Sequence, residues 1–228
     1  MKDPLPPHPS QAQGGALEGG LARLLDRLVA GENPPADASV TTVPAPLGAR
    51  ALVIGGTAWH VVAADVDPAW VAERVAGDPI GAPLGARFLA ALADLVGAEP
   101  GVLDAVLVAP RAPAGPGLAL VAAPTEEHPR VRRALRHRTD VRVWTTRDGD
   151  GLLTLGRGIC GRWEAALEVT PAARGRGLGT ALAVAAPGLV PDGTPLWAQV
   201  APANTASLRA FLAAGWRPVG AEVLFTPT

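Results

Sequence analysis

The chain has 228 residues, 20 Lys and Arg against 21 Asp and Glu, and a formal net charge of −1. Apolar residues make up 48% and charged residues 18%, which gives one or two folded domains with a real core and excludes a chain that is basic or acidic as a whole. Its single cysteine, Cys160, excludes an internal disulfide and fits a reducing compartment. Residues 1–20 hold no apolar signal core, and no run approaches the ~18 apolar residues of a membrane span, so the expectation is a cytoplasmic protein with no membrane partner.

Residues 1–15 are rich in Pro, Gln and Gly and read as a mobile tail. Leu17, Leu21, Leu24, Leu25 and Leu28 recur at helical spacing, which predicts an amphipathic helix over 16–30. Residues 31–48 return to Pro, Ala and Gly and read as a linker. Strands are predicted at 51–54 and 58–64, around Gly55-Gly56. Asp67-Pro68 opens a helix that Gly77 stops. A second helix spans 84–96, with Leu84, Phe88, Leu92, Leu95 and Val96 on its apolar side and Gly97 as its cap. Short strands at 106–109 and 118–122 flank a Pro/Gly loop.

After Pro129 comes a basic helix with Arg130, Arg132, Arg133, Arg136 and Arg138. Strands at 141–146 and 152–157 are joined by Arg147-Asp148-Gly149-Asp150, a hairpin turn of Asp-Gly type. A strand at 163–169, a helix at 175–186 ended by Pro187-Gly188, and a strand at 196–200 follow. Asn204 caps a helix over 204–214 that Gly215 closes, and 219–225 is the last strand. From 141 onward the pattern is β-β-β-α-β-α-β. The organisation expected is a tail, helix and linker over 1–45, an α/β region over 46–126, and a core over 127–228.

The chemistry concentrates in Arg174-Gly175-Arg176-Gly177-Leu178-Gly179, between a strand and a helix. Gly-rich turns at a helix start present backbone N–H groups and a partial positive charge, a seat for phosphate or pyrophosphate. A dinucleotide-binding motif fits poorly, because position 180 is Thr, Asp192 lies in a turn, and too little chain remains to complete that fold.

With their neighbours the glycines tell more. Val169-Thr170-Pro171, Arg174 to Gly179, Asn204, Phe211 and Gly215-Trp216 closely resemble the signature of the GCN5-related N-acetyltransferases, over about residues 141–226. The resemblance implies an α/β (α+β) fold with a central mixed, mostly antiparallel sheet flanked by helices and extended at the N-terminus. It implies acetyl-CoA as co-substrate, with no metal, and a small-molecule or peptide amine as acceptor. The amides of Arg174, Gly175, Arg176, Gly177, Leu178, Gly179 and Thr180 would hold the pyrophosphate. Val169, on a strand that splays from its neighbour, and Asn204 would meet the pantetheine arm.

Direct transfer needs a base for the attacking amine and an acid for the leaving thiolate. Glu164, Ala166 and Glu168 share one face of their strand, with Trp163, Ala165, Leu167 and Val169 on the other. Glu164 and Glu168 are the base candidates, or else solvated face residues, and Glu222 is a third choice. The family commonly has a tyrosine seven residues after the Asn; here Phe211 stands there and the chain has no tyrosine. Phe211 reads as core, and Ser207, one turn earlier, is the acid candidate.

The other features weigh less. The basic helix 130–138 could bind an anionic substrate or serve a nucleic-acid or protein interaction module, although nucleic acid is not the expected partner of a chain without net positive charge. His60 reads as a core or edge histidine, His128 and His137 have no metal-ligand spacing, and Cys160 reads as inert. Trp144 and Trp163 read as core or as walls of an acceptor cleft. A homodimer is left open, as is a module that binds acyl-CoA without turnover.

Overall fold

The structure is a computed structural model that describes residues 9–110, 117–123 and 127–226. Much of the expected tail 1–15, and most of the loop between 109 and 118, lie outside the described residues. The chain divides into two compact units, one running to Gly101 and resuming at Val223, the other Val102–Glu222. The boundary falls some 25 residues before the expected one at 126, because the strand beginning at Asp104 pairs inside the second unit.

The first unit opens with α1 (Pro9–Ala30), longer than the predicted 16–30, which buries Leu21, Leu24, Leu25 and Leu28. The supposed linker 31–48 contains a strand, β1 (Ser39–Val43), parallel to β3 (Trp59–Ala64). β2 (Ala51–Gly56) pairs antiparallel with β3. α2 (Pro68–Val75) starts where Asp67 accepts the Ala69 N–H at 2.9 Å, as the Asp-Pro pair predicts. α3 (Ala86–Val96) ends at Gly97; it buries Phe88 and Leu92 but leaves Leu95 half exposed, contrary to expectation. β4 (Glu99–Pro100) pairs with the end of the last strand, β11 (Arg217–Thr226).

Gly55 and Gly56 have a packing reason. The rings of His60 and Trp59 lie across them from β3, where a Cβ on either glycine would stand. His60 is 5% exposed, and burial pushes its pKa below the ordinary 6.5.

The second unit holds the strands in the order β11-β5-β10-β9-β8-β7-β6. These are β5 (Asp104–Val108), β6 (Leu120–Ala122), β7 (Thr139–Thr146), β8 (Gly151–Arg157), β9 (Trp163–Val169) and β10 (Leu196–Val200). All neighbours are antiparallel except β9 and β10. β5 lies between β10 and β11, although the chain passes from β10 to β11 without it. The expected mixed, mostly antiparallel sheet flanked by helices is what is found. One face carries α5 (Leu178–Ala185) and α6 (Thr205–Ala213), whose Leu182 and Phe211 share a core with Leu107, Leu155, Trp163 and Leu167 of the sheet. The basic segment forms α4 (Pro129–His137), capped by His128, whose Nδ1 accepts the Arg130 N–H at 3.2 Å; Val131 and Ala134 are buried.

Two outcomes follow for stability. Replacing Gly55 by Val should cost about 1–3 kcal/mol in denaturant unfolding, because the His60 ring must leave its place. His60 is neutral in the folded chain, so its contribution is complete above the unfolded pKa and is lost as pH falls below about 6.5. A thermal melt series from pH 8 to 5 should show a decline that His60→Gln reduces.

Candidate functional site

β9 is hydrogen-bonded to β8 along its whole length, from Arg157↔Trp163 to Gly151↔Val169. Its other edge pairs with β10 only at Leu196↔Trp163 and Trp197↔Glu164. β10 nevertheless continues against β5 as far as Val200↔Ala105. From Ala165 onward the two parallel strands have therefore parted. The Thr170 N–H donates to the Asp150 carbonyl, which fixes the alternation of the β8–β9 ladder. In an antiparallel ladder every second residue turns its N–H and C=O to the far side. The Ala165 carbonyl and the N–H and C=O groups of Leu167 and Val169 are thus directed into the gap between β9 and β10. Arg174 Nε donates to the Val169 carbonyl at 3.2 Å, at the mouth of that gap.

The chain turns straight from β9 into the glycine loop. A 3-10 turn, Pro171–Ala173, leads to Arg174, and Gly175 and Gly177 take left-handed φ of +76° and +83°. A Cβ on either would meet open space, so it is backbone conformation that demands glycine here. These two residues also delay the helix, which starts at Leu178 rather than at the predicted 175. Gly177 is its N-cap and offers no side chain. The first helical bond runs from the Ala181 N–H to the Gly177 carbonyl. The N–H groups of Leu178, Gly179 and Thr180 accordingly lack intrahelical acceptors and end at an exposed loop carrying Arg174 and Arg176.

The predicted cofactor residues come together. A Cβ on Gly179 would lie 3.5 Å from Ala210 Cβ and 3.8 Å from Val169 Cγ2, so the start of α5 rests on α6 and on the end of β9. Asn204 accepts the Ser207 N–H at 3.2 Å and caps α6, as expected. Because β9 and β10 are parallel, the loops after both, with the glycines and Asn204, lie at the same end of the sheet. Phe211 is core, edge-on to Trp216 with ring centroids 4.7 Å apart.

The base candidates separate. Glu168 accepts from Arg130 Nε at 2.7 Å, with His128 at 3.9 Å, and the Arg130 hydrogen bond holds its carboxyl below the usual range. Glu164 is no solvated face residue: it is 4% exposed. It accepts from Arg162 at 2.8 Å, Arg138 at 2.9 Å and Gln199 at 2.9 Å. Burial alone would raise its pKa, but Arg162 and Arg138 outweigh burial and hold it low. Glu222, 3% exposed, receives both terminal nitrogens of Arg162, at 3.1 and 2.5 Å, and Gln199 at 3.0 Å. Two buried carboxylates, two arginines and one amide thus satisfy one another.

Sequence reading missed Arg138, Arg162, Gln199 and Asp104. Arg162 and Glu164 stand two apart at a strand start, the spacing of a shared face, and that signal was available. Among the described residues no group of three or more His, Cys, Asp or Glu side chains is placed to hold a metal, and no helix is long and apolar enough to cross a membrane.

No family model matches the chain, and no curated protein matches it. Among solved structures the chain is similar to a GCN5-related N-acetyltransferase from Kribbella flavida, at 17% identity and a TM-score of 0.39 over 61% of this chain and 64% of that one. The match spans less than two thirds of that protein's length. A second similar structure, from Novosphingobium aromaticivorans, is named as a GNAT-family acetyltransferase, with 19% identity and a TM-score of 0.40 over 57% of this chain and 68% of that one.

Removing one member of the buried network should be costly. Glu164→Ala leaves two guanidinium groups facing each other and should cost about 3–5 kcal/mol in equilibrium unfolding. Glu168→Ala breaks a pair whose side chains are 37% and 39% exposed and should cost about 1 kcal/mol or less.

Proposed function

We propose that the chain is an N-acyltransferase that moves an acetyl group from acetyl-CoA to a primary amine by direct attack in a ternary complex. The observation that carries this reading is the early end of the β9–β10 ladder beside a helix start whose first N–H groups are uncapped. The extended, amide-bearing arm of coenzyme A matches the open strand edge, and its pyrophosphate matches the loop.

On this reading the amides from Arg174 to Thr180 bind the pyrophosphate, with Arg174 and Arg176 adding charge. The N–H groups that β9 turns into the gap receive the pantetheine arm, and one of them polarises the thioester carbonyl. An aimed backbone donor of that kind contributes about 3–4 kcal/mol to the barrier reduction. Asn204 meets the arm from the cap of α6. Glu164, with its basicity suppressed by two arginines, keeps the sheet face in shape rather than taking protons. Glu168 stands beside the loop and balances Arg130. The Ser207 hydroxyl, in the first turn of α6, is our choice of acid for the departing thiolate, a role that a thiol leaving group makes light. A CoA thioester donor and a single cysteine fit a cytoplasmic setting.

One observation favours a second reading. Phe211 leaves no phenol near the cap of α6, as a domain that senses acyl-CoA without turnover would tolerate. Calorimetry with turnover assays separates the two. The enzyme binds acetyl-CoA and acetylates at least one amine of a panel; the sensor gives heat and no product; absence of heat contradicts both. Gly177→Val, which forces a branched residue into left-handed backbone, should weaken acetyl-CoA about tenfold or more.

A further inference from the structure

Asp104 opens β5, an otherwise apolar strand, and pairs directly with Glu222 of β11. Residues directly opposite in an antiparallel pair share a face. Leu107, three positions on, belongs to the core under α5 and α6, so Asp104 lies on the other face, with Glu222. The acidic neighbours there are spent: Glu164 and Glu222 are held by Arg162, Arg138 and Gln199. The Asp104 carboxylate has no hydrogen-bond or ion-pair partner among the described residues, and it is half-buried, so solvent and solutes reach it.

Its place along the strands matters equally. Ala105 pairs with Val200, so Asp104 stands just past the carboxyl end of β10. That is the end towards which β9 and β10 part. Three carboxylates here face two closely paired guanidinium groups, with Arg133 of α4 acting from farther off. Arg162 and Arg138 are taken up by Glu164 and Glu222, and only the more distant Arg133 offsets Asp104, beside the opening where the acetyl donor is proposed to lie.

Resting on the acetyltransferase reading, we propose that Asp104 is the acceptor subsite: its carboxylate receives the ammonium of a primary amine and takes a proton from it. The acceptor class is then a cationic alkyl amine. Asp104 takes one proton from R–NH3+, leaving R–NH2 and a neutral carboxyl group. The nitrogen lone pair forms the C–N bond to the thioester carbonyl carbon, and the C–S bond breaks with its electrons on sulfur. The Ser207 hydroxyl gives its proton to the thiolate to form the free thiol and regains one from the second nitrogen proton. Asp104 returns its own proton to solvent. Burial first, then Glu222 and Glu164, raise the Asp104 pKa to about 6, against the opposing pull of Arg133. A base of that strength works near neutral pH.

Carboxyl-carbon NMR on the full chain saturated with coenzyme A tests this without turnover, with methylammonium and spermidine as probes. The Asp104 resonance should titrate near pH 6 and move to lower pH when either amine is added. A titration indifferent to both amines overturns the proposal. Asp104→Asn should keep the acetyl-CoA affinity of the parent, lose about 100-fold or more in kcat, and lose the acidic limb of its pH profile. The variant should also melt higher than the parent at pH 8, with the gap shrinking as pH falls through about 6 and closing only below the unfolded value near 3.8, because the cost of the raised pKa builds up between those two values and is constant above them. Retained rate with an unchanged limb overturns the proposal. Failure of acetyl-CoA to bind the parent overturns the acetyltransferase reading instead, whatever Asp104 does.

Discussion

The site depends on one interrupted ladder. A parallel strand pair normally continues as long as both strands last, since an unpaired backbone N–H or carbonyl in the interior costs free energy. β9 and β10 pair at two positions and then part, though each keeps its other neighbour, β8 and β5. The backbone groups so released form an edge that a bound chain-like ligand can complete. The glycine loop at the end of β9 then turns uncapped helical amides to the same opening. The strand edge gives direction, and the helix start gives charge.

Holding two strands apart requires support from both faces. On one face, Trp163 and Leu167 of the sheet pack with Leu182 of α5 and Phe211 of α6 in one apolar layer. On the other, Gln199 of β10 donates to Glu164 of β9 and to Glu222, and Arg162 bridges the same two carboxylates, so side chains span the strands beyond the end of the backbone ladder. Burying four charges is costly in itself, and apolar residues could often replace them without loss of stability. Their use here is geometric: multiple directed bonds fix strand spacing where main-chain bonds are missing. The insertion of β5 between β10 and β11 places Asp104 beside this network.

The sequence made much of this legible. The spacing from Arg174 to Gly179 identified the loop, and Asn204 with Gly215 placed α6 correctly. The start of α5 was misplaced because Gly175 and Gly177 serve the turn, and glycine spacing alone does not report φ. β1 was missed because Ser39–Val43 is short and lies amid Pro and Ala, its strand character coming from its parallel partner β3. Glu164 and Glu168 were rightly put on one face, but alternation along a strand says nothing of which cations arrive from elsewhere. Arg162, two positions before Glu164, is legible as its neighbour, but Arg138 closes a helix, and only the fold brings it to Glu164. The early boundary had the same cause: nothing local in 104–108 shows that this strand pairs far downstream.

Residue-resolved amide hydrogen exchange with and without acetyl-CoA tests the central claim most directly. If the parted strand and the loop grip the thioester, protection should rise at Leu167 and Val169 and at residues 175–180, with little change at Leu152 or Leu155 on β8. Exchange at those positions that is unaltered by saturating acetyl-CoA, or protection confined to another part of the chain, would contradict it.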